Sequence, residues 1–154
     1  MTSFISTDDL LQHWLGHRRV TRRMIEAFPE DQFFTFTIGG MRTFGALANE
    51  FLGMALPTVR GIITDTWEGN PWEPATTKAQ VLEQWDLTTA ELEKLWPTIP
   101  ANRWTEVMTA FGQWEMPVPN LVLYIIDNEI HHRGQGYVYC RALGIEPPQF
   151  PDRS

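Results

Sequence analysis

A chain of 154 residues, 43% apolar and 20% charged, suits one domain over residues 1–154 with a sizeable core. Nineteen acidic against twelve basic residues leave a net charge of −7, which argues against nucleic acid and disfavours anionic membrane surfaces, since both recruit arginine- and lysine-rich faces. A single cysteine, Cys140, excludes an internal disulfide and a cysteine-based zinc framework.

Ser6-Thr7-Asp8-Asp9 supplies capping groups and negative charge for a first helix that runs to about Phe28, where Pro29 stops it. Residues 29–40 are expected as a loop with an aromatic patch, Phe33-Phe34-Thr35-Phe36, ending at Gly39-Gly40. A second helix covers 42–65 with Phe44, Leu47, Phe51 and Ala55 as its stripe, kinked or interrupted at Pro57. A turn-rich linker, WEGNPWEP, follows from Trp67. Thr77 with Gln80 fits a capping box that opens a third helix, and Thr88 with Glu91 repeats the pattern, so a break near Asp86 is expected. Residues 101–118 read as loop with a short helical piece. The last helix spans about Asn120 to Leu143, with Gly144 as its stop. Strand alternation is scarce, and four helices in this length most economically make an all-α four-helix bundle.

A helix turns about 100° per residue, so each position can be assigned to a face. On the last helix Leu121, Ile125, Tyr139 and Leu143 share one side, and Asn128 and His132 interrupt that stripe four residues apart, with Gln135 one turn on. Polar groups inside an apolar stripe must be hydrogen-bonded or must ligate something, and two side chains at i and i+4 can reach one metal ion. Val122, Ile126, Ile130 and Tyr137 form a second apolar side, which fits a central helix or one covered by a partner chain, hence a homodimer. Glu50 lies at the edge of the second helix's stripe, as a site carboxylate or as the partner of an arginine. His17 lies on the core side of the first helix, as an additional ligand or a structural histidine. His131 and Asp127 turn to the flank as a pair that either supports the ligating side chains from behind or is structural, and His13 reads as solvated. Cys140 has no activating neighbour and reads as a small buried hydrophobe. Trp67 and Trp72 are candidates for the wall of a small-molecule pocket. No basic-then-apolar export pattern and no apolar run of about 18 residues occurs, which fits the cytoplasm.

The run DNEIHHRGQ at 127–135, followed by GYVYCRALGIEPP, resembles the closing signature of the DinB/YfiT-like superfamily. GHRRVTRRMIEAFPED and RTFGALANEFLGM resemble the first two helices of one of its branches. The resemblance covers nearly the whole chain. It implies a cytoplasmic four-helix bundle, commonly a homodimer, from a metalloenzyme group that binds nickel or zinc through three histidines. It implies neither polymerase activity nor DNA binding. Carried across by position, the metal set falls on Glu50, Asn128 and His132, of which only His132 keeps the residue type. A carboxylate and an amide in place of two imidazoles weaken zinc and nickel and turn the preference toward manganese or magnesium, unless His17 supplies a nitrogen. Two functions follow: a divalent-metal-dependent transferase or hydrolase acting on a small molecule, with a low-molecular-weight thiol as co-substrate in some relatives, or a non-catalytic ligand-binding or dimerisation bundle that has lost its metal.

Overall fold

Residues 4–154 are described by a computed structural model. Helix α1 runs Thr7–Ala27; Ser6 caps it by accepting the Asp9 N–H at 3.0 Å, and Pro29 ends it by holding Phe28 in extended backbone. Helix α2 runs Phe44–Thr64 with Thr43 as its cap, and Asp65 closes it in a left-handed turn at φ 58°. Pro57 sits inside α2 without ending it. The proline has no N–H to give the Gly53 carbonyl one turn back, and burial of Leu56, Val59 and Ile62 holds the helix across that gap.

Helix α3, Lys78–Leu95, opens on the expected Thr77–Gln80 capping box and then runs unbroken. The break expected near Asp86 does not form, because the groups that would make it are engaged elsewhere. Thr88 is fully buried and caps nothing, while Asp86 grips the Arg22 guanidinium at 2.6 and 2.9 Å. Helix α4, Val118–Ala142, begins two residues before the expected Asn120. Pro119 lies in its first turn, where a missing N–H costs no helical bond. Gly144, at φ 77°, ends the helix as expected.

Residues 101–118 require a correction. Two 3₁₀ turns, Trp96–Thr98 and Ala101–Thr105, lead into an antiparallel hairpin of β1 (Val107–Ala110) and β2 (Trp114–Pro117), with Met108 opposite Met116. The fold is therefore mostly helical rather than all-α. Met108 and Ala110 point into the core and Val107 and Thr109 outward, a two-residue period too short to stand out from the sequence. The turn is also unmarked. Gln113 donates its N–H to the Ala110 carbonyl at 3.0 Å, and both Phe111 and Gly112 have positive φ, 54° and 66°. That is a mirror-image hairpin turn, which Asn-Gly usually announces. Phe111 is held there by Trp67 and Trp114, at ring-centroid distances of 5.2 and 6.3 Å.

Helices α1 and α2 each pack against α3 and α4, leaving α1/α2 and α3/α4 across the diagonals of the bundle. Two apolar clusters fill it. One gathers Trp14, Leu56, Val59, Leu92, Trp96 and Val122; the other gathers Phe28, Phe33, Phe44, Phe51, Trp85 and Tyr139. Between them, at mid-height, lies a belt of buried polar side chains: His17, Arg18, Thr21, Thr88, Glu129 and Arg133. Both apolar sides of α4 are covered from within the chain, Val122 and Ile126 fully and Ile130 and Tyr137 in part. Among the described residues no helix is long and apolar enough to cross a membrane.

Gly134 and Gly136 on α4 make opposite predictions. A Cβ on Gly134 meets nothing within 4 Å, whereas one on Gly136 falls 2.5 Å from Cε2 of the buried Phe44 ring. Gly134→Ala is expected to stabilise by up to ~1 kcal/mol through helix propensity. Gly136→Ala should destabilise by about 1–2 kcal/mol, since overpacking outweighs that gain. Urea midpoints measured side by side check both.

Candidate functional site

The seam between α2 and α4 brings together the three side chains expected there. One Glu50 oxygen, Oε2, is clamped by the Arg42 guanidinium. The other, Oε1, accepts the Asn128 amide at 3.1 Å and faces His132 Nε2 at 3.3 Å. The Asn128 amide nitrogen also touches Met54 Sδ at 3.2 Å. His132 Nδ1 lies 3.0 Å from Gln135 Oε1, and its ring tilts over Phe51 at 6.3 Å. Both imidazole nitrogens thus face oxygen acceptors. A doubly protonated ring satisfies both, and a neutral ring does so only if the Gln135 amide turns its nitrogen inward. Burial raises the Glu50 carboxyl, but the Arg42 and Asn128 hydrogen bonds and the charges of Arg42 and His132 outweigh it and leave it below the usual range.

The remaining expected residues lie elsewhere. Asp127 and His131 are exposed, and no hydrogen bond or ion pair joins them, so the pair read from their spacing does not form; the His131 ring rests edge-on against His132 at 4.8 Å. His17 stands on the opposite side of α4. Its Nδ1 meets Arg133 at 3.1 Å and its Nε2 meets Arg153 at 3.1 Å. Burial and the two guanidiniums push it down to about 3, so it stays neutral within the polar belt, apart from the Glu50 cluster. His13 is exposed, its ring edge-on to His17 at 4.6 Å. Cys140 is buried and its thiol is pushed up to about 11, as befits an inert packing residue.

Glu129 and Arg133 escaped the sequence reading. They repeat the i,i+4 spacing of Asn128 and His132 one residue along, so α4 carries a polar pair on each of two faces. Glu129 takes the Thr21 hydroxyl at 2.6 Å and the Trp14 indole N–H at 3.4 Å. Arg133 donates to the His17 carbonyl at 2.9 Å and to Thr21 at 3.2 Å. Arg18, also in the belt, stacks its guanidinium 4.0 Å from the Trp85 ring centre and donates to the Trp85 carbonyl at 3.1 Å.

One turn along the same seam lies a cavity of about 330 Å³ between α2, α4 and the hairpin, lined in part by Met54, Phe111, Trp114 and Tyr124. Its aromatic wall comes from the hairpin and α4 and not, as expected, from Trp67 and Trp72. Trp67 instead stands behind Phe111 and covers Gly61, where a Cβ would come within 2.2 Å of its ring.

Whether the cluster suits a divalent ion is decided by its donors. The 3.3 Å between Nε2 and Oε1 is near the span of two ligands around one ion at ~2.1 Å each. The donor set, however, offers one imidazole, one carboxylate whose charge an arginine already balances, and one amide that presents its nitrogen. Among the described residues no group of three or more His, Cys, Asp or Glu side chains converges. This set does not fit the three-imidazole centre implied by the resemblance, and the nearby guanidinium repels a dication.

The DinB family model matches residues 1–153. A DinB-like protein from Bacillus cereus ATCC 10987 superposes with a TM-score of 0.73 at 22% identity, covering 92% of this chain and 95% of the other. A second, from Bacillus subtilis, gives 0.70 at 18% identity, covering 92% and 96%. These likenesses show the fold. No curated protein matches.

The belt generates a pH prediction. Burial raises the Glu129 carboxyl, against the pull of Arg18, Thr21 and Arg133. A group raised in the folded state contributes stability that is full below its unfolded value of 4.5 and is lost as pH climbs through the folded value. Glu129→Gln, a mimic of the protonated acid, is expected to flatten that decline when urea stability is followed upward from pH 4.

Proposed function

The chain belongs to the DinB family, and from that premise we propose that it binds a small molecule at the α2–α4 seam, with the family's metal-ligand positions converted into a self-satisfied polar cluster. The observation that carries this reading is the Arg42–Glu50 clamp. A carboxylate recruited to hold a dication contributes mainly its charge, and here that charge is balanced inside the chain. Its second oxygen is taken by Asn128 and His132. Exchange for an ion would break those bonds and leave Arg42 facing the incoming charge. The cluster is half-buried, with the Glu50 side chain 26% and the His132 side chain 15% exposed, so a small polar group reaches it from solvent.

Binding at such a site runs through exchange of hydrogen bonds. His132 offers a ring N–H, Asn128 an amide that both donates and accepts, and Gln135 an amide oxygen. A ligand with one polar end takes over part of this set, while its remainder lies along the apolar seam. Met54 marks the join, since it touches Asn128 and also lines the cavity. The second reading, a divalent-metal-dependent transferase or hydrolase, rests on the Nε2–Oε1 span alone.

Metal analysis separates the two. Protein produced with nickel, zinc and manganese supplied is expected to carry far less than one ion per chain after desalting and to melt at the same temperature with and without a strong chelator. His132→Ala should lower the melting temperature slightly through lost hydrogen bonds and leave metal content unchanged. One ion per chain, lost in His132→Ala, would establish the metal-dependent reading instead.

A further inference from the structure

We propose that the cavity beneath the hairpin holds the body of a small, largely apolar ligand, a bicyclic aromatic or its aliphatic equivalent carrying one hydroxyl, anchored by Thr58 and the Gly53 carbonyl. The proposal rests on the small-molecule reading of the seam but not on the cluster's lack of a metal.

The cavity wall is mostly apolar, and the side chains on it that carry polar groups are Thr58 on α2, Tyr124 on α4 and Trp114 on the hairpin. Thr58 lines it, is only 3% exposed, and its hydroxyl makes no hydrogen bond to any described residue. Threonines inside helices commonly return the hydroxyl to the carbonyl one turn back, as Thr64 and Thr89 do here at 2.9 and 3.0 Å. Thr58 does not. One residue before it, Pro57 removes the N–H that would bond Gly53, which also lines the cavity. Gly53 and Thr58 both line this wall, so a carbonyl short of its helical donor and an unpartnered hydroxyl lie five residues apart on α2. A ligand hydroxyl serves both, donating to the carbonyl and accepting from the threonine.

Size and shape narrow the ligand. A dry cavity of about 150 Å³ accommodates benzene, so about 330 Å³ holds roughly a dozen non-hydrogen atoms. Phe111, Trp114 and Tyr124 offer ring faces and edges for a flat molecule. Phe111 is itself held at positive φ, a conformation bulky residues adopt only where the surroundings over-determine it, and such residues cluster at ligand sites.

The probe is 2-naphthol, titrated by its fluorescence in the presence of chelator, with naphthalene as the hydroxyl-free control. The wild-type chain is expected to bind one 2-naphthol at micromolar concentration. In Gly53→Leu the new side chain enters a position where a Cβ meets nothing within 4 Å, so the helix is kept while the cavity is filled, and binding of both probes should fall at least about tenfold. Thr58→Val keeps the shape and removes the hydroxyl; it should weaken 2-naphthol by about threefold to tenfold and leave naphthalene unchanged. Failure of the wild-type chain to bind 2-naphthol, or equal binding by Gly53→Leu, overturns the proposal. Equal weakening of both probes by Thr58→Val overturns the anchor. Because the titration is run with chelator present, none of these results depends on the metal content of the cluster.

Discussion

The fold is organised by the need to keep charge inside a helical bundle. Arg18, Arg133 and Glu129 lie in the layer between two apolar clusters, where an unpaired ion would cost several kcal/mol. The chain meets that cost with dense local bonding. Thr21 serves Glu129 and Arg133 at once, the His17 carbonyl takes Arg133, and the Trp85 ring and carbonyl take Arg18. Each of these contacts joins α1 to α3 or α4, so the layer specifies which helices meet and at what height. An apolar bundle could slide by a turn with little penalty, whereas this one cannot without stranding a guanidinium.

The same layer explains why α4 is polar on two faces. Glu129 and Arg133 turn toward α1, and Asn128 and His132 turn toward α2. The first pair is sealed and structural. The second is half-open and is completed by Glu50, whose carboxyl Arg42 and Asn128 hold below its usual range. The seam therefore has a fixed polar head and, one turn away, an apolar chamber roofed by the hairpin. On the small-molecule reading proposed above, recognition would combine orientation at the head with shape at the chamber, the usual division of labour in small-molecule pockets.

Much of this was legible beforehand, for physical reasons that differ by element. Caps such as Ser6 and the Thr77–Gln80 box are local signals, and they marked helix starts correctly. The convergence of Glu50, Asn128 and His132 followed from helical spacing combined with a family pattern. The hairpin was missed because its strands are four residues each and its turn uses Phe111 where asparagine is usual, a conformation imposed by Trp67 and Trp114 from afar. The two readings of His17 stayed open in the sequence because its neighbours, Arg133 and Arg153, lie more than a hundred residues away in the chain. Glu129 was overlooked because its spacing to Arg133 also suits an ordinary solvent-facing ion pair; only the packing of α1 buries it.

The diagonal placement of α1 against α2, and of α3 against α4, bears on how the molecule is made. Of the helices that follow one another along the chain, only α2 and α3 are close neighbours, so the stretch from residue 44 to 95 is the one helical hairpin among the described residues that can assemble from contiguous chain. Docking of α1 and α4 joins more distant segments, closing long loops before burial repays them. A bundle wired in this way folds more slowly than one in which every pair of helices adjacent in sequence is adjacent in space.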